Sequence, residues 1–270
     1  MKIILDSSKL KKELKNNHNL GFVPTMGGIH KGHKYLITRS KKECNKTLIS
    51  IFVNPTQFDN KNDLKNYPRD IMKDLSVLRK LKVDYVFIPK IKDIYNLKRK
   101  KKIRLNKTDI VLCAKYRKGH FEGVLDVMDR FTKLVLPSKI FMGEKDYQQY
   151  YLVKKFFKYK YKVKIIKCKT IRSKDKIALS SRNLLLNKKD ILVAGKIIKE
   201  LFTFKKIILK TDMINQYLKS KKHDLIKKYK IKIEYLENRN TKNLTISNKY
   251  QKSKIFLSYY YKGIRLIDNF

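Results

Sequence analysis

The sequence predicts an α/β protein whose parallel sheet is followed by a smaller α+β domain. Over the first two thirds of the chain, short apolar runs rich in β-formers alternate with longer segments of helical spacing. That βαβ rhythm builds parallel sheets with right-handed crossovers and places ligands at the carboxyl ends of the strands. After about residue 170 the rhythm changes. With 270 residues, 42% of them hydrophobic, the chain can bury one large or two modest cores and is no disordered segment.

In order, residues 20–24, 47–53, 83–88, 139–142 and 163–167 read as buried strands, and residues 33–43, 68–82, 122–136 and 146–159 as the helices between them. A polar stretch at 173–176 then leads into helix-like segments at 188–204 and 211–228 and strands at 231–235 and 255–261. One boundary therefore divides the chain into domains 1–172 and 173–270. A strand edge is expected near 108–112, and no internal repeat is evident.

Lys plus Arg number 67 against 23 Asp plus Glu, a formal charge of +44. Such a balance ordinarily points to nucleic acid or an anionic membrane. Its distribution argues otherwise: 32 basic residues fall in 1–135 and 35 in 136–270, and only 11 are Arg, the residue that planar phosphate or base recognition favours. The charge reads as a solvated, lysine-biased surface, including the densest run at 98–104, for which phosphate steering is the second reading. Cys44, Cys113 and Cys168 are scattered, without CxxC spacing, so neither a disulfide framework nor structural zinc is expected. No signal-peptide core or membrane-length apolar run is present, which predicts a soluble, cytoplasmic protein with no membrane partner.

The most informative segment is 21–33, Gly-Phe-Val-Pro-Thr-Met-Gly-Gly-Ile-His-Lys-Gly-His, where a strand runs through a glycine turn into a helix. Free N–H groups at the helix start and a permissive backbone predict an anion cradle. Neither the Walker spacing nor GxGxxG fits it. His30 and His33, three apart, project from one face, where two imidazoles can donate to phosphate oxygens. They do not make the HExxH zinc pattern.

With its His-x-Gly-His, this segment resembles the signature of adenylate-forming nucleotidyltransferases related to class I aminoacyl-tRNA synthetases. Further motifs narrow the likeness: Ser-Ile-Phe-Val-Asn-Pro-Thr-Gln-Phe at 50–58, Tyr-Pro-Arg at 67–69, Arg-Lys-Gly-His-Phe-Glu-Gly-Val at 117–124, Gly-Glu-Lys-Asp-Tyr-Gln-Gln at 143–149, Ala-Leu-Ser-Ser-Arg-Asn at 178–183 and Arg-Leu-Ile-Asp-Asn at 265–269. Together, in this order and over nearly the whole chain, they resemble the pantothenate synthetase family. Lys31, Cys113-Ala114, Lys118 and Leu136-Pro-Ser138 depart from the residues usual in that family.

The resemblance implies a Rossmann-like domain that binds nucleotide and pantoate, a C-terminal lid, and an ATP-dependent ligase that joins pantoate to β-alanine through pantoyl adenylate. It implies ATP contacts at Met26, Gly27, Gly28, Ile29, His30, Lys31, Gly32 and His33, at Gly143, Glu144, Lys145 and Asp146, at the backbone of Ile171, and at Leu179, Ser180, Ser181 and Arg182. His33, His30 and Lys145 would be the catalytic set. Asp146 would cap the following helix or meet ribose or metal. Gln57 would bind pantoate and β-alanine, and Gln149 pantoate, with Asn54, Tyr67 and Arg117 as further substrate contacts and His120 lining the pocket or capping its helix. Mg²⁺ is expected with ATP and without dedicated protein ligands, and the implied partner is a second copy of the chain, with the edge near 108–112 as a possible interface. Two rivals frame the reading: a nucleic-acid-binding protein on an inactive nucleotidyltransferase fold, and a nucleotidyltransferase acting on a phosphorylated acceptor.

Overall fold

Strands β1 (Lys2–Ile4), β2 (Leu20–Thr25), β3 (Lys46–Ile51), β4 (Tyr85–Phe87), β5 (Lys139–Gly143) and β6 (Lys164–Cys168) pair in parallel in the order β1-β4-β3-β2-β5-β6. The computed structural model describes residues 1–95, 102–208 and 211–270, so most of the basic run 98–104 lies outside the described residues. In β3 every residue but the first is buried, as expected of a strand covered on both faces. Register is continuous at the centre, with Leu20 opposite Lys46 through Thr25 opposite Ile51. From β2 the chain builds outward through β3 and β4, then resumes on the other side with β5 and β6. The order thus reverses at β2, and crevices open there at the carboxyl ends of parallel strands.

Helices α1 (Ser7–Leu14), α2 (Lys31–Glu43), α3 (Lys61–Lys65), α4 (Ile71–Lys80), α5 (Ile91–Ile94), α6 (Cys113–Tyr116), α7 (His120–Val135) and α8 (Tyr147–Phe157) accompany these strands along the chain. α7 is the most apolar of the sheet-packing helices in effect: Phe121, Val124, Leu125, Met128, Phe131 and Val135 recur at helical spacing and are all buried. Phe131 meets the rings of Phe22, Phe52 and Phe87 at centroid separations of 5.5, 5.9 and 6.2 Å, tying the helix to β2, β4 and the segment after β3. Truncating such a ring to Ala costs about 3–5 kcal/mol. The predicted strands and helices of this region are all present, with ends shifted by a few residues. β1, α1 and the short helices α3, α5 and α6 were not among the predicted elements.

Contacts divide the described chain into two compact units, Met1–Lys107 with Arg117–Thr170, and Thr108–Tyr116 with Ile171–Phe270. In the second, α9 (Lys188–Ile208) and α10 (Ile214–Tyr229) accompany an antiparallel sheet of β7 (Lys232–Asn240), β8 (Ser253–Tyr261) and β9 (Ile264–Asn269). Ile197, Ile198, Leu201, Leu218, Leu225, Ile233, Leu257 and Leu266 belong to its core. Segment 108–116 belongs to this unit: Cys113 Sγ lies 3.0 Å from the Tyr235 hydroxyl, and the Tyr116 hydroxyl donates to the Glu234 carbonyl at 2.8 Å.

The strand edge expected near 108–112 is not formed. Residues 107–109 make a 3₁₀ turn, Val111 N–H returns to the Asp109 carbonyl at 2.9 Å, and Leu112 is left-handed at φ 49°, so the backbone cannot run extended there. No helix of the described residues is long and apolar enough to cross a membrane.

Candidate active site

Three segments of the first unit emerge at the carboxyl ends of the adjacent strands β3, β2 and β5, and they carry most of the residues singled out by the sequence. The chain leaves β2 at Thr25, whose hydroxyl donates to the Ser50 carbonyl at 2.6 Å and accepts from Gly27 N–H at 3.3 Å. Gly27 and Gly28 then take φ of 85° and 62°, left-handed values that a side chain disfavours. Their turn is held from a distance in sequence. Asp74, buried on α4, accepts from Gly28 N–H at 2.9 Å with one carboxylate oxygen and from Ile29 N–H at 2.7 Å with the other.

Several N–H groups of the expected backbone anion cradle have partners within the fold. Gly27, Gly28 and Ile29 N–H are engaged as described, His30 N–H faces the Nδ1 of His33 at 3.4 Å, and Gly32 N–H donates to the Nδ1 of His30 at 3.0 Å. The physical reason is that N–H groups partly withdrawn from water take a partner from the fold itself.

His30 stands at the N-cap of α2 in extended conformation, and its ring stacks on that of His33 with centroids 4.0 Å apart. Burial, then the neighbouring His33 and the Lys145 ammonium, lower the His30 pKa to about 3, with Asp146 opposing. Burial and Lys145 lower that of His33 to about 4, opposed by a hydrogen bond to the Gly28 backbone. Both rings are therefore neutral at pH 7. The Nδ1 of His30 accepts from Gly32 N–H, which places that ring's proton on Nε2 and leaves an Nε2–H to donate, whereas the His33 ring is engaged by the Gly28 backbone.

The segment after β3 holds Gln57, and its placement is heavily determined. Asn54, buried, donates from Nδ2 to the Gln57 side-chain oxygen at 3.1 Å and to the Gly123 carbonyl at 3.2 Å, while its Oδ1 accepts from the hydroxyls of Thr56 and Tyr95 at 3.0 and 2.7 Å. Those bonds use up the Asn54 amide, so it orients Gln57 and does not reach outward. The Gln57 amino group then faces the sulfur of Met26 at 2.9 Å. α7 approaches this turn so closely that a Cβ on Gly123 would lie 2.3 Å from the Thr56 carbonyl oxygen.

His120, the first residue of α7, bonds the Gln57 carbonyl through Nδ1 at 2.6 Å and meets the Arg117 guanidinium through Nε2 at 3.0 Å; Arg117 also pairs with Asp59 at 3.0 Å. His120 therefore neither caps its helix with its side chain nor stands apart from Gln57. It braces the loop. Tyr67 is buried and packs edge-on to Phe58 at 5.7 Å.

At the end of β5, residues 144–146 turn into α8. Lys145 Nζ lies 3.2 Å from Asp146 Oδ1, and Glu144 pairs with Lys167 at 2.9 Å. Asp146 occupies the N-cap position of α8 but makes no side-chain capping bond, contrary to one expectation, because its carboxylate turns to Lys145. Gln149 is half-buried on the first turn of α8.

The second unit carries the remaining group. The Ile171 carbonyl accepts from Leu179 N–H at 2.9 Å, closing a loop anchored by Arg172, which grips the Asp268 carboxylate at 2.6 and 2.8 Å. Ser180 caps the 3₁₀ turn that follows: its hydroxyl accepts from Arg182 N–H at 3.3 Å, and Asn183 Oδ1 accepts from Ser180 N–H at 2.6 Å. Ser181 is buried and Arg182 half-buried.

Sequence reasoning missed Asp74 and Gly123. Asp74 had one available signal, a carboxylate on the face of α4 that also carries the buried Leu75 and Leu78. Gly123 sits within a quoted motif but had no assigned role.

A parallel sheet with a glycine turn, paired imidazoles and a lysine at the carboxyl ends of its central strands defines an α/β protein of the nucleotide-binding class. The pantoate-beta-alanine ligase family profile matches residues 2–270. A pantothenate synthetase of Buchnera aphidicola from Acyrthosiphon pisum is 39% identical over 280 residues, covering 100% of this chain and 98% of its own, and one from Pseudothermotoga lettingae is 35% identical, covering 100% and 97%. The crystal structure of pantothenate synthetase from Thermus thermophilus superposes with a TM-score of 0.91 at 28% identity, covering 100% of this chain and 99% of that one. That of the Francisella tularensis pantoate-beta-alanine ligase, complexed with beta-gamma ATP and beta-alanine, gives 0.85 at 35% identity, covering 100% and 97%. The chain belongs to the pantoate-beta-alanine ligase family.

Proposed function

We propose that this enzyme condenses pantoate and β-alanine to pantothenate through a pantoyl-adenylate intermediate, consuming ATP and releasing AMP and pyrophosphate. One observation carries the reading: the Gln57 amino group rests on the sulfur of Met26, the residue that opens the glycine turn leading to His30 and His33. An amide suited to a hydroxy acid and imidazoles suited to phosphate thus adjoin. The Francisella relative, complexed with beta-gamma ATP and beta-alanine, supports the ATP and β-alanine assignments.

In the first step a pantoate carboxylate oxygen attacks the α-phosphorus, and the bond to the bridging oxygen breaks, leaving the charge on pyrophosphate. Residues 26–33 form the ATP wall. His30 donates from Nε2–H to a phosphate oxygen without giving up its proton, His33 stands beside it as a second neutral imidazole at the reacting phosphate, and Lys145 supplies a compact cation. Gly143, Glu144 and Asp146 flank it. Gln57 and Gln149 orient pantoate, so catalysis is positioning and electrostatic stabilisation.

In the second step the neutral β-alanine amine attacks the acyl carbon, the bond from that carbon to the phosphate-linked oxygen breaks so that AMP leaves with the former carboxylate oxygen, and the nitrogen's extra proton passes to solvent. Gln57 meets β-alanine as well. Ile171, Leu179, Ser180, Ser181 and Arg182 act on the nucleotide, and residues 173–270 serve as the lid.

No group of three or more His, Cys, Asp or Glu side chains suited to a metal stands among the described residues. A Mg²⁺ carried on ATP's own oxygens would neutralise triphosphate charge. A homodimer and a cytoplasmic location complete the proposal. Three free thiols, the state that a reducing compartment maintains, support the latter. The full-length family match argues against the nucleic-acid reading. Pantoate-dependent exchange of labelled pyrophosphate into ATP tests the whole: it is expected with Mg²⁺ present, and its absence from folded protein would refute the adenylate route.

A further inference from the structure

We propose that Asp74 is a positioning residue for the nucleotide turn, filling with its own carboxylate the nest that backbone N–H groups would otherwise offer to phosphate, and thereby aiming the His30 Nε2–H. The inference rests on the reading of His30 as a phosphate donor.

Successive N–H groups around a left-handed residue converge into an anion-binding concavity. Here that concavity is closed from within: Gly28 and Ile29 N–H each meet a different oxygen of Asp74, at 2.9 and 2.7 Å, and Asp74 is 4% exposed. The fit leaves no spare room. A Cβ on Gly27 would lie 2.9 Å from Asp74 Oδ2.

The bonded turn leads directly into His30. The Ile29 amide that Asp74 fixes precedes His30, which stands extended at φ −122° as the cap of α2. Its Nδ1 is held by Gly32 N–H at 3.0 Å, which commits the ring proton to Nε2. Asp74 comes from a helix about 45 residues further along the chain, so it transmits the position of the sheet-packed α4 to the turn. Removing it leaves two half-buried N–H groups without their carboxylate partner and frees the turn to rotate.

A cradle that binds phosphate through backbone N–H predicts the opposite sign. If the triphosphate competed with Asp74 for Gly28 and Ile29, neutralising Asp74 would tighten ATP.

The test uses the full chain and its Asp74→Asn variant, which keeps the side chain's shape but turns an NH₂ group toward one of the two amides. Imidazole ¹⁵N shifts of the ligand-free protein are expected to show His30 in the Nε2–H tautomer in the wild type and in a mixture in the variant. Pantoate-dependent pyrophosphate exchange is expected to slow by about 10–100-fold, the scale of a sub-ångström to ångström misplacement, with the pantoate KM within about twofold. An unchanged His30 tautomer, or tighter ATP binding by the variant, overturns the proposal. If the variant does not fold, the wild type decides: adding a non-hydrolysable ATP analogue should shift the His30 Nε2 signal and leave the Gly28 and Ile29 amide signals in place. Large amide shifts overturn it. Failure of exchange in the wild type would count against the ligase reading alone, since the tautomer measurement needs no turnover.

Discussion

The Asn54 amide donates to the side-chain oxygen of Gln57 at 3.1 Å, and this contact decides which end of Gln57 faces Met26. Gln57 therefore presents its donor at a predetermined angle. Because Asn54 is saturated by Thr56, Tyr95, Gln57 and Gly123, its removal acts through Gln57.

Asn54→Ala is expected to raise the pantoate KM about tenfold while the ATP KM stays within about twofold, and to cost about 1–3 kcal/mol of stability through orphaned buried partners. Gly123→Ala should act in the same direction, since its methyl group would push α7 away from the Thr56 carbonyl. Steady-state kinetics and urea unfolding check both. Equal rises in the two KM values would show a general loss of structure.

His33→Ala is expected to slow adenylation by about 10²–10³-fold, as removal of a preorganised donor does. Gln149→Ala should weaken pantoate binding far more than ATP binding. A loss under about threefold for the first, or matched losses for the second, would remove these residues from their proposed roles.

The two imidazoles set a pH dependence of stability. Their pKa values in the fold, about 3 for His30 and about 4 for His33, lie below the ordinary 6.5, so the unfolded chain binds more protons than the folded one between those limits. Their contribution is retained above pH 6.5 and lost as pH falls from there toward 4 and 3. Proton-NMR titration of the ligand-free enzyme should show neither ring titrating near 6.5. An inflexion there would contradict the burial that depresses them.

A formal +44 makes the fold resist its own repulsion. The ion pairs that salt weakens include exposed ones such as Lys2–Glu13 and Lys46–Asp84, which solvent already screens. Raising ionic strength from about 0.01 to 0.15 M shortens the screening length from about 30 to 8 Å, so relief of repulsion should dominate and the thermal midpoint should rise. A falling midpoint would mean that the ion pairs outweigh the lysine excess.

Local chemistry was readable where a residue's neighbours in sequence are also its neighbours in space. The strand, glycine turn and helix of 20–43 could be read directly, because apolar period, left-handed glycines and the spacing of His30 and His33 are all short-range. β9 could have been found from its alternation and the turn at 262–263, which joins it to β8. β1 could not: three residues acquire strand character only by pairing with β4, Lys2 opposite Tyr85.

The sequence by itself determined the βαβ order and the family motifs, and it supplied the imidazoles, lysine and glutamines proposed for the reaction. Tertiary structure alone decided that Asp74 occupies the turn's amides, that Asn54 serves Gln57 and that segment 108–116 joins the second unit. Periodicity records which face of an element is buried, whereas a hydrogen bond between residues 45 positions apart in the chain depends on where packing brings two elements to rest.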